Sequence, residues 1–192
     1  MAKINGVEIK KYRSFYGHEG ENVAEAIVYI DGKRAGTWAQ DSWGGPDRYD
    51  GFEDKVSEKA ALVQAGFPKD DWDFHMQNDP DVFMQNLLLL AEDEKHYKKM
   101  HRQGFQSLIT MSDGYHYSYI AYRKVLEKEN FWDECMIDLV GLKQEMFKNK
   151  RLRIGAYNCP EDFAVVVDQD HPAPYWMTRK KWGPIDTKSY TV

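Results

Sequence analysis

Apolar residues in the first fifty positions alternate with polar ones instead of recurring at helical intervals. Ala26, Val28 and Ile30 interleave with Glu25, Ile27 and Tyr29, and Asp31-Gly32 then offers the positive φ angles of a tight hairpin before residues 33–40 return. Both parities carry apolar residues, so the pattern predicts a strand covered on two faces. A preceding strand is expected over residues 4–16, with Ile4-Asn5-Gly6-Val7 as a turn. The polar stretch 41–51 contains Gly44-Gly45-Pro46 and predicts a long turn through which no strand runs.

The period then lengthens to that of a helix. Asp50 and Glu53 have capping-box spacing, after which Phe52, Val56, Ala60 and Val63 recur until Gly66 and Pro68. Asp79 as N-cap and Pro80 as first helical residue open a longer helix, whose Phe83, Leu87, Leu90 and Tyr97 share a face until Gly104. A third helix, starting near Tyr122 or Glu129 and ending near Asn149, is predicted from the stripe Trp132, Cys135, Met136, Leu139 and Val140. Residues 105–111 and 115–122 flank Ser112-Asp113-Gly114 as a hairpin, and residues 151–157 and 163–168 predict another. Segregated runs of this kind favour an α+β fold: antiparallel sheet segments, in an N-terminal hairpin and two later ones, packed with three main helices. The expected organisation is an N-terminal β module over 1–51, an α+β body over 52–170 and an extended C-terminal tail over 171–192.

Composition narrows the class. With 192 residues, 42% hydrophobic and 14% aromatic, the chain has enough apolar area to order itself as one compact domain with at most a small appendage. Its longest apolar run, 87–91, falls far short of the roughly 20 residues of a bilayer helix, and residues 3–11 lack the apolar stretch of a signal peptide. A cytoplasmic protein is therefore expected, with no membrane contact. Cys135 and Cys159 are too few for a disulfide framework or a four-sulfur zinc site.

The side chains that carry chemistry are scattered. His96 and His101 stand about 140° apart around a helix and cannot chelate one ion together. His116, beside Asp113 and between Tyr115 and Tyr117, is the better acid/base candidate, with His101 second and more readily explained as a hydrogen-bonded boundary residue. The sequence holds no phosphate-binding loop, dinucleotide fingerprint, nucleophile elbow or HExxH, and it calls for no cofactor and no metal. Asp93-x-Lys95 imitates half of a nuclease motif, but on a helix, where it reads as a chance pairing.

Charge is more informative. Asp and Glu exceed Lys and Arg by 31 to 26, a net charge of −5, yet Lys95, Lys98, Lys99 and Arg102 stack on one helix flank where a backbone phosphate could bind. The loop before that helix carries Asp70, Asp71 and Asp73 around Trp72, an acidic and aromatic combination suited to the basic groove of a nucleic-acid enzyme. Trp43, Asp47 and Tyr49 form a second set with the residue types of an interface.

One pattern goes beyond composition. Val28-Tyr29-Ile30-Asp31-Gly32-Lys33 followed by Gly36, Asp41 and Gly44-Gly45-Pro46, or D-G-K-x2-G-x4-D-x2-G-G-P, resembles the N-terminal module of small proteins carried by phages and integrated elements of bacteria. That group includes anti-defence proteins such as anti-CRISPRs. The resemblance spans roughly the first fifty of 192 residues and brings no catalytic residues with it. It implies a conflict between mobile element and host. The leading expectation is a non-enzymatic interaction protein of the bacterial cytoplasm that binds and inhibits a host nucleic-acid-targeting defence complex, most specifically a Cas9-type effector. Asp70, Asp71 and Asp73 with Trp72, and Trp43, Asp47 and Tyr49, would be its partner-binding residues. The alternative is a nuclease that inactivates guide RNA with His116 or His101 beside the Lys95 to Arg102 flank. A third is an accessory protein with neither role.

Overall fold

The computed structural model describes residues 1–18, 20, 22–71, 73–112, 117–127, 151–174, 177 and 180–181. Two hairpins of the same turn chemistry begin the chain. β1 (Lys3–Ile4) returns as β2 (Val7–Tyr16) through Asn5 and Gly6 at φ 47° and 82°, and β3 (Asn22–Ile30) returns as β4 (Lys33–Ala39) through Asp31 and Gly32 at 49° and 80°. Turns with positive φ at both central residues match the twist of the strands they join. The Asn5 amide also acts as a piece of backbone: Nδ2 donates to the Val167 carbonyl and Oδ1 accepts from the Val167 N–H, each at 2.8 Å. This seats β9 (Ala164–Val165) parallel to β1, and the sheet runs β5-β4-β3-β2-β1-β9 with β5 (Arg48–Tyr49) at the far edge.

α1 (Glu53–Ala65) and α2 (Pro80–His101) cover one face of that sheet. Val56, Ala60 and Val63 of α1 and Phe83, Leu87 and Leu90 of α2 join Ile4, Val7, Ile9, Ala26, Val28 and Trp38 in one buried cluster, as their periodicities predict. The strand expected to be covered on two faces is covered on one. Ile27 and Tyr29 are half-buried, and Lys10 Nζ lies 4.3 Å over the Tyr29 ring, its alkyl stem shielding the outward face.

Capping separates the two helices. Asp79 Oδ1 accepts from the N–H groups of Asp81 and Val82 at 2.8 and 3.4 Å and Pro80 opens α2, as predicted. α1 has no capping box. Its N-cap is Phe52, and Gly51, at φ 76°, turns Asp50 away so that Oδ2 accepts from the Thr37 N–H at 2.9 Å. A Cβ on Gly36 would come within 2.8 Å of Asp50 Cβ, so that glycine permits the crossing. The same crossing brings Tyr49 and Arg48 into register with Trp38 and Ala39, placing a short strand where none was expected.

The second sheet, antiparallel throughout, has the order β10-β8-β6-β7, from β6 (Ser107–Ser112), β7 (Tyr117–Tyr122), β8 (Arg151–Tyr157) and β10 (Lys180–Lys181). The hairpin expected over 151–168 does not form. Asp162 Oδ2 accepts from the N–H groups of Asn158 and Cys159 at 2.7 and 3.1 Å, closing a 3-10 turn that carries the chain from β8 in one sheet to β9 in the other. Two α-helices lie among the described residues. The expected third lies outside them, except for its earlier start at Tyr122, where β7 ends and irregular chain follows. Where described, the tail packs: Met177 is fully buried in the main cluster and the Ala173 N–H donates to the Gly66 carbonyl at 2.9 Å. Among the described residues no helix is long and apolar enough to cross a membrane.

The second sheet is bonded to α2 through one carboxylate. Asp93 Oδ2 accepts from Thr110 Oγ1 on β6 and Tyr157 Oη on β8 at 2.9 and 2.6 Å, while Oδ1 accepts from Tyr117 Oη on β7 at 2.7 Å. Gly155 leaves the space, since a Cβ there would lie 2.6 Å from Thr110 Oγ1. Burial pushes the Asp93 carboxyl up to about 6, against the pull of the three hydroxyls and of Arg153. A carboxyl whose folded pKa exceeds its unfolded value of roughly 4 stabilises the fold most below that value, and its contribution is lost as pH rises through about 6. Asp93→Ala, which strands three hydroxyls, should cost about 3 kcal/mol in urea denaturation. Asp93→Asn should cost less and flatten part of the decline in stability between pH 4 and pH 7; an unaltered pH profile would contradict the assignment.

Candidate functional site

The first irregularity in the sheet creates the site. Between the pairs Lys10↔Ile27 and Arg13↔Glu25 the register slips, so Lys11 and Tyr12 together oppose Ala26. Lys11 takes φ 52°, a left-handed conformation that costs a side chain other than glycine on the order of 1 kcal/mol. Because β1 is so short, β2 beyond Glu8 has no strand on that side among the described residues. Bulge and lysines make this edge a poor template for another strand. They open it instead onto α2.

There a cleft of about 680 Å³ lies between the two elements. Lys10, Lys11 and Tyr12 line it from β2, and Lys95, His96, Lys98, Lys99 and Arg102 line it from α2. The helical spacing that predicts one cationic flank is realised, and the strand adds the Lys11 cation to it, while the Lys10 ammonium turns to Tyr29 and Glu8 on the other face. Some of this charge has a local explanation, since Lys98, Lys99 and Arg102 also complement the carbonyl end of α2. Lys11 has no such explanation.

Carboxylates offset only part of the charge. Glu94 Oε1 lies 2.7 Å from Lys98 Nζ and 3.1 Å from the N-terminal ammonium, and Oε2 accepts from the Ala2 N–H at 2.9 Å. Burial opposes ionisation of Glu94, but Lys98, the Ala2 amide and the ammonium together hold its carboxyl below the usual range. Lys10 Nζ lies 3.3 Å from Glu8. Lys11, Lys99 and Arg102 pair with no carboxylate among the described residues.

Two neutral groups complete the wall. Burial, reinforced by Lys99 and Lys95, pushes the His96 imidazole down, and its ring rests 5.1 and 4.9 Å from those of Tyr117 and Tyr119. Burial, with Glu92 and Glu94, pushes the Tyr12 phenol up to about 12, so it remains a donor, with Lys95 Nζ 5.8 Å from its ring centre. Tyr12 Oη and His96 Nδ1 are shielded from solvent and meet no hydrogen-bonding group among the described residues. The four α2 cations extend over about 10 Å of helix, more than a single phosphate needs and well matched to a chain of them.

The other sequence-predicted sets divide. Asp70 is exposed, Asp71 is half-buried with Oδ1 accepting from the Asp73 N–H at 2.9 Å, and Asp73 is buried. These three carboxylates therefore do not form one outward face, and Trp72 lies outside the described residues. Asp47 Oδ2 accepts from Trp38 Nε1 at 2.8 Å, its N–H donates to Asp81 Oδ2 at 3.2 Å, and Tyr49 Oη donates to Asp81 Oδ1 at 2.8 Å. These bonds pin the loop to the first turn of α2; burial and then Asp81 push the Asp47 carboxyl up to about 6. Trp43 alone of that set turns outward. His101 is exposed at the end of α2, Nδ1 3.2 Å from the Phe105 carbonyl and the ring stacked on Tyr97, while His116 lies outside the described residues. Among the described residues no three His, Cys, Asp or Glu side chains are grouped to hold a metal.

Sequence reasoning missed Lys10, Lys11, Tyr12 and His96. The available signal was the Lys10-Lys11-Tyr12-Arg13 run, where polar residues interrupt the alternation set by Val7 and Ile9. No family model matches the chain, and no curated protein or solved structure matches it. Lys11→Gly should leave the fold as stable as before or slightly more so, whereas Lys11→Val should lose about 1–2 kcal/mol. Thermal melts ranking the two in the opposite order would contradict the bulge.

Proposed function

We propose that this is a non-enzymatic interaction protein that grips a nucleic-acid backbone in the cleft between β2 and α2. Its setting is the one the N-terminal resemblance implies: inhibition, by a mobile element's product, of a host nucleic-acid-targeting defence complex, most specifically a Cas9-type effector. The single observation carrying this reading is the convergence of Lys11 with Lys95, Lys98, Lys99 and Arg102 on one cleft, in a chain whose net charge is −5. Segregating cations against the overall charge creates a local attraction for phosphates, and each neutralised phosphate releases counterions. A guide or displaced strand held there is denied to the effector. Occlusion by the 70–73 loop draws less support, because Asp70 alone among its aspartates is exposed.

A nuclease is the second reading. It is favoured by His96, an imidazole pushed toward its neutral form beside Lys95 and Lys99, the state a general base requires. Binding and cleavage are separated in one series with end-labelled guide RNA. Lys99→Glu combined with Arg102→Glu, chosen because neither cation has a carboxylate partner among the described residues, should weaken binding at least tenfold, with the salt slope falling by roughly one per lost contact. The RNA should remain intact with and without EDTA, and the wild-type protein should inhibit a guide-loaded effector more strongly than the double variant. Salt-insensitive binding or unchanged affinity would reject the cleft. Discrete products that vanish in His96→Ala would replace binding with catalysis.

A further inference from the structure

We infer that the nucleic acid gripped by the cleft is single-stranded, its bases stacking on an aromatic platform made by Tyr16 and the His18–Trp43 pair. This rests on the cleft reading and names its ligand class. Beyond the bulge, the pairs Ser14↔Ala24 and Tyr16↔Asn22 place Ser14 and Tyr16 on the same face as Tyr12, the face on which α2 lies. Tyr16 therefore stands about 13 Å further along the strand from the Tyr12 wall of the cleft. It is 80% exposed, and Trp43 is 73% exposed. Rings this exposed on folded backbone leave an aromatic face open to an occupant.

The platform is braced. The Trp43 ring stacks on His18 with centroids 3.9 Å apart and planes at 23°, and the His18 N–H donates to the Ser42 carbonyl at 3.3 Å, tying the end of the β2–β3 hairpin to the loop that carries Trp43. Asp41 fixes that loop by accepting from the Gly45 N–H at 2.8 Å. One indole face is thus supported by an imidazole while most of the side chain remains open. Such a surface suits any base, because every base has a π-face, whereas a duplex keeps its base faces inside the stack. Tyr16 stands on the same strand that carries Lys11 and Tyr12 into the cleft, and this continuity of cations and rings along β2 favours a phosphate-linked chain of bases over a protein partner.

The test uses the full chain, fluorescence anisotropy and three labelled probes: an unstructured RNA of about twelve nucleotides, the same sequence as DNA, and a hairpin duplex RNA. Trp43→Ala and Tyr16→Ala should each weaken single-strand binding on the order of tenfold and leave duplex binding within about twofold. Trp43→Phe should retain most of the affinity, and melts should show all variants folded. Loss on both single strands supports the inference with the sugar unread; loss on RNA alone supports it with the 2′-hydroxyl read. Equal losses on duplex and single strand, or no loss on single strands, overturn it while Lys99→Glu with Arg102→Glu still reports the cleft. Insensitivity to the cation and aromatic variants alike overturns both readings. Lost effector inhibition with unchanged RNA affinity would make the platform a protein contact and overturn the inference.

Discussion

A carboxylate held away from water by three hydroxyls joins the halves of this molecule. Asp93 projects from α2 toward the second sheet, and Thr110, Tyr117 and Tyr157 reach it from the three strands of that sheet which lie side by side. Burying a charge is unfavourable unless its oxygens are satisfied, so the network either forms whole or destabilises the fold. Its geometry specifies where the second sheet sits on the helix. That same helix forms one wall of the cleft, and His96, three residues along, rests against Tyr117 and Tyr119 of the sheet that Asp93 positions. The contact that seats the second sheet on α2 thus also backs the His96 part of the cleft wall.

The opposite wall is set by strain. A left-handed lysine and a register slip are unfavourable within a strand, yet they turn Lys11 and Tyr12 toward α2 where regular pleating would have sent neighbouring side chains to opposite faces. The edge also gains protection, since a bulged, lysine-rich strand pairs poorly with others. One local distortion therefore serves solubility and the cleft together.

Local chemistry made much of this fold legible in the sequence. Asn5-Gly6 and Asp31-Gly32 specify their turns within two residues, and Asp79-Pro80 specifies the start of α2 without reference to distant groups. Legibility failed where a residue's partner is remote. Asp93 sits in a run of acidic and basic residues that reads as a solvated helix face, and its acceptor role depends on hydroxyls 17, 24 and 64 positions away. Asp50 has capping spacing, but Gly51 turns it toward Thr37. The cleft was half legible: helical spacing grouped Lys95 to Arg102, while the approach of Lys11 required a bulge that only the pairing with β3 reveals. The acidic loop illustrates the reverse error, because composition counted Asp73 as surface when the backbone turn buries it.

The parallel pairing of β1 with β9 sets a temporal order on the molecule's assembly. Asn5 bonds to Val167 across 162 residues, so a nascent chain leaving the ribosome at about 5–20 residues per second carries its first strand for roughly 10–30 s before the segment that completes that sheet edge has been synthesised. During that interval the adjoining hairpins must keep themselves from pairing with other chains, a task for which the lysines and bulge of β2 are already in place.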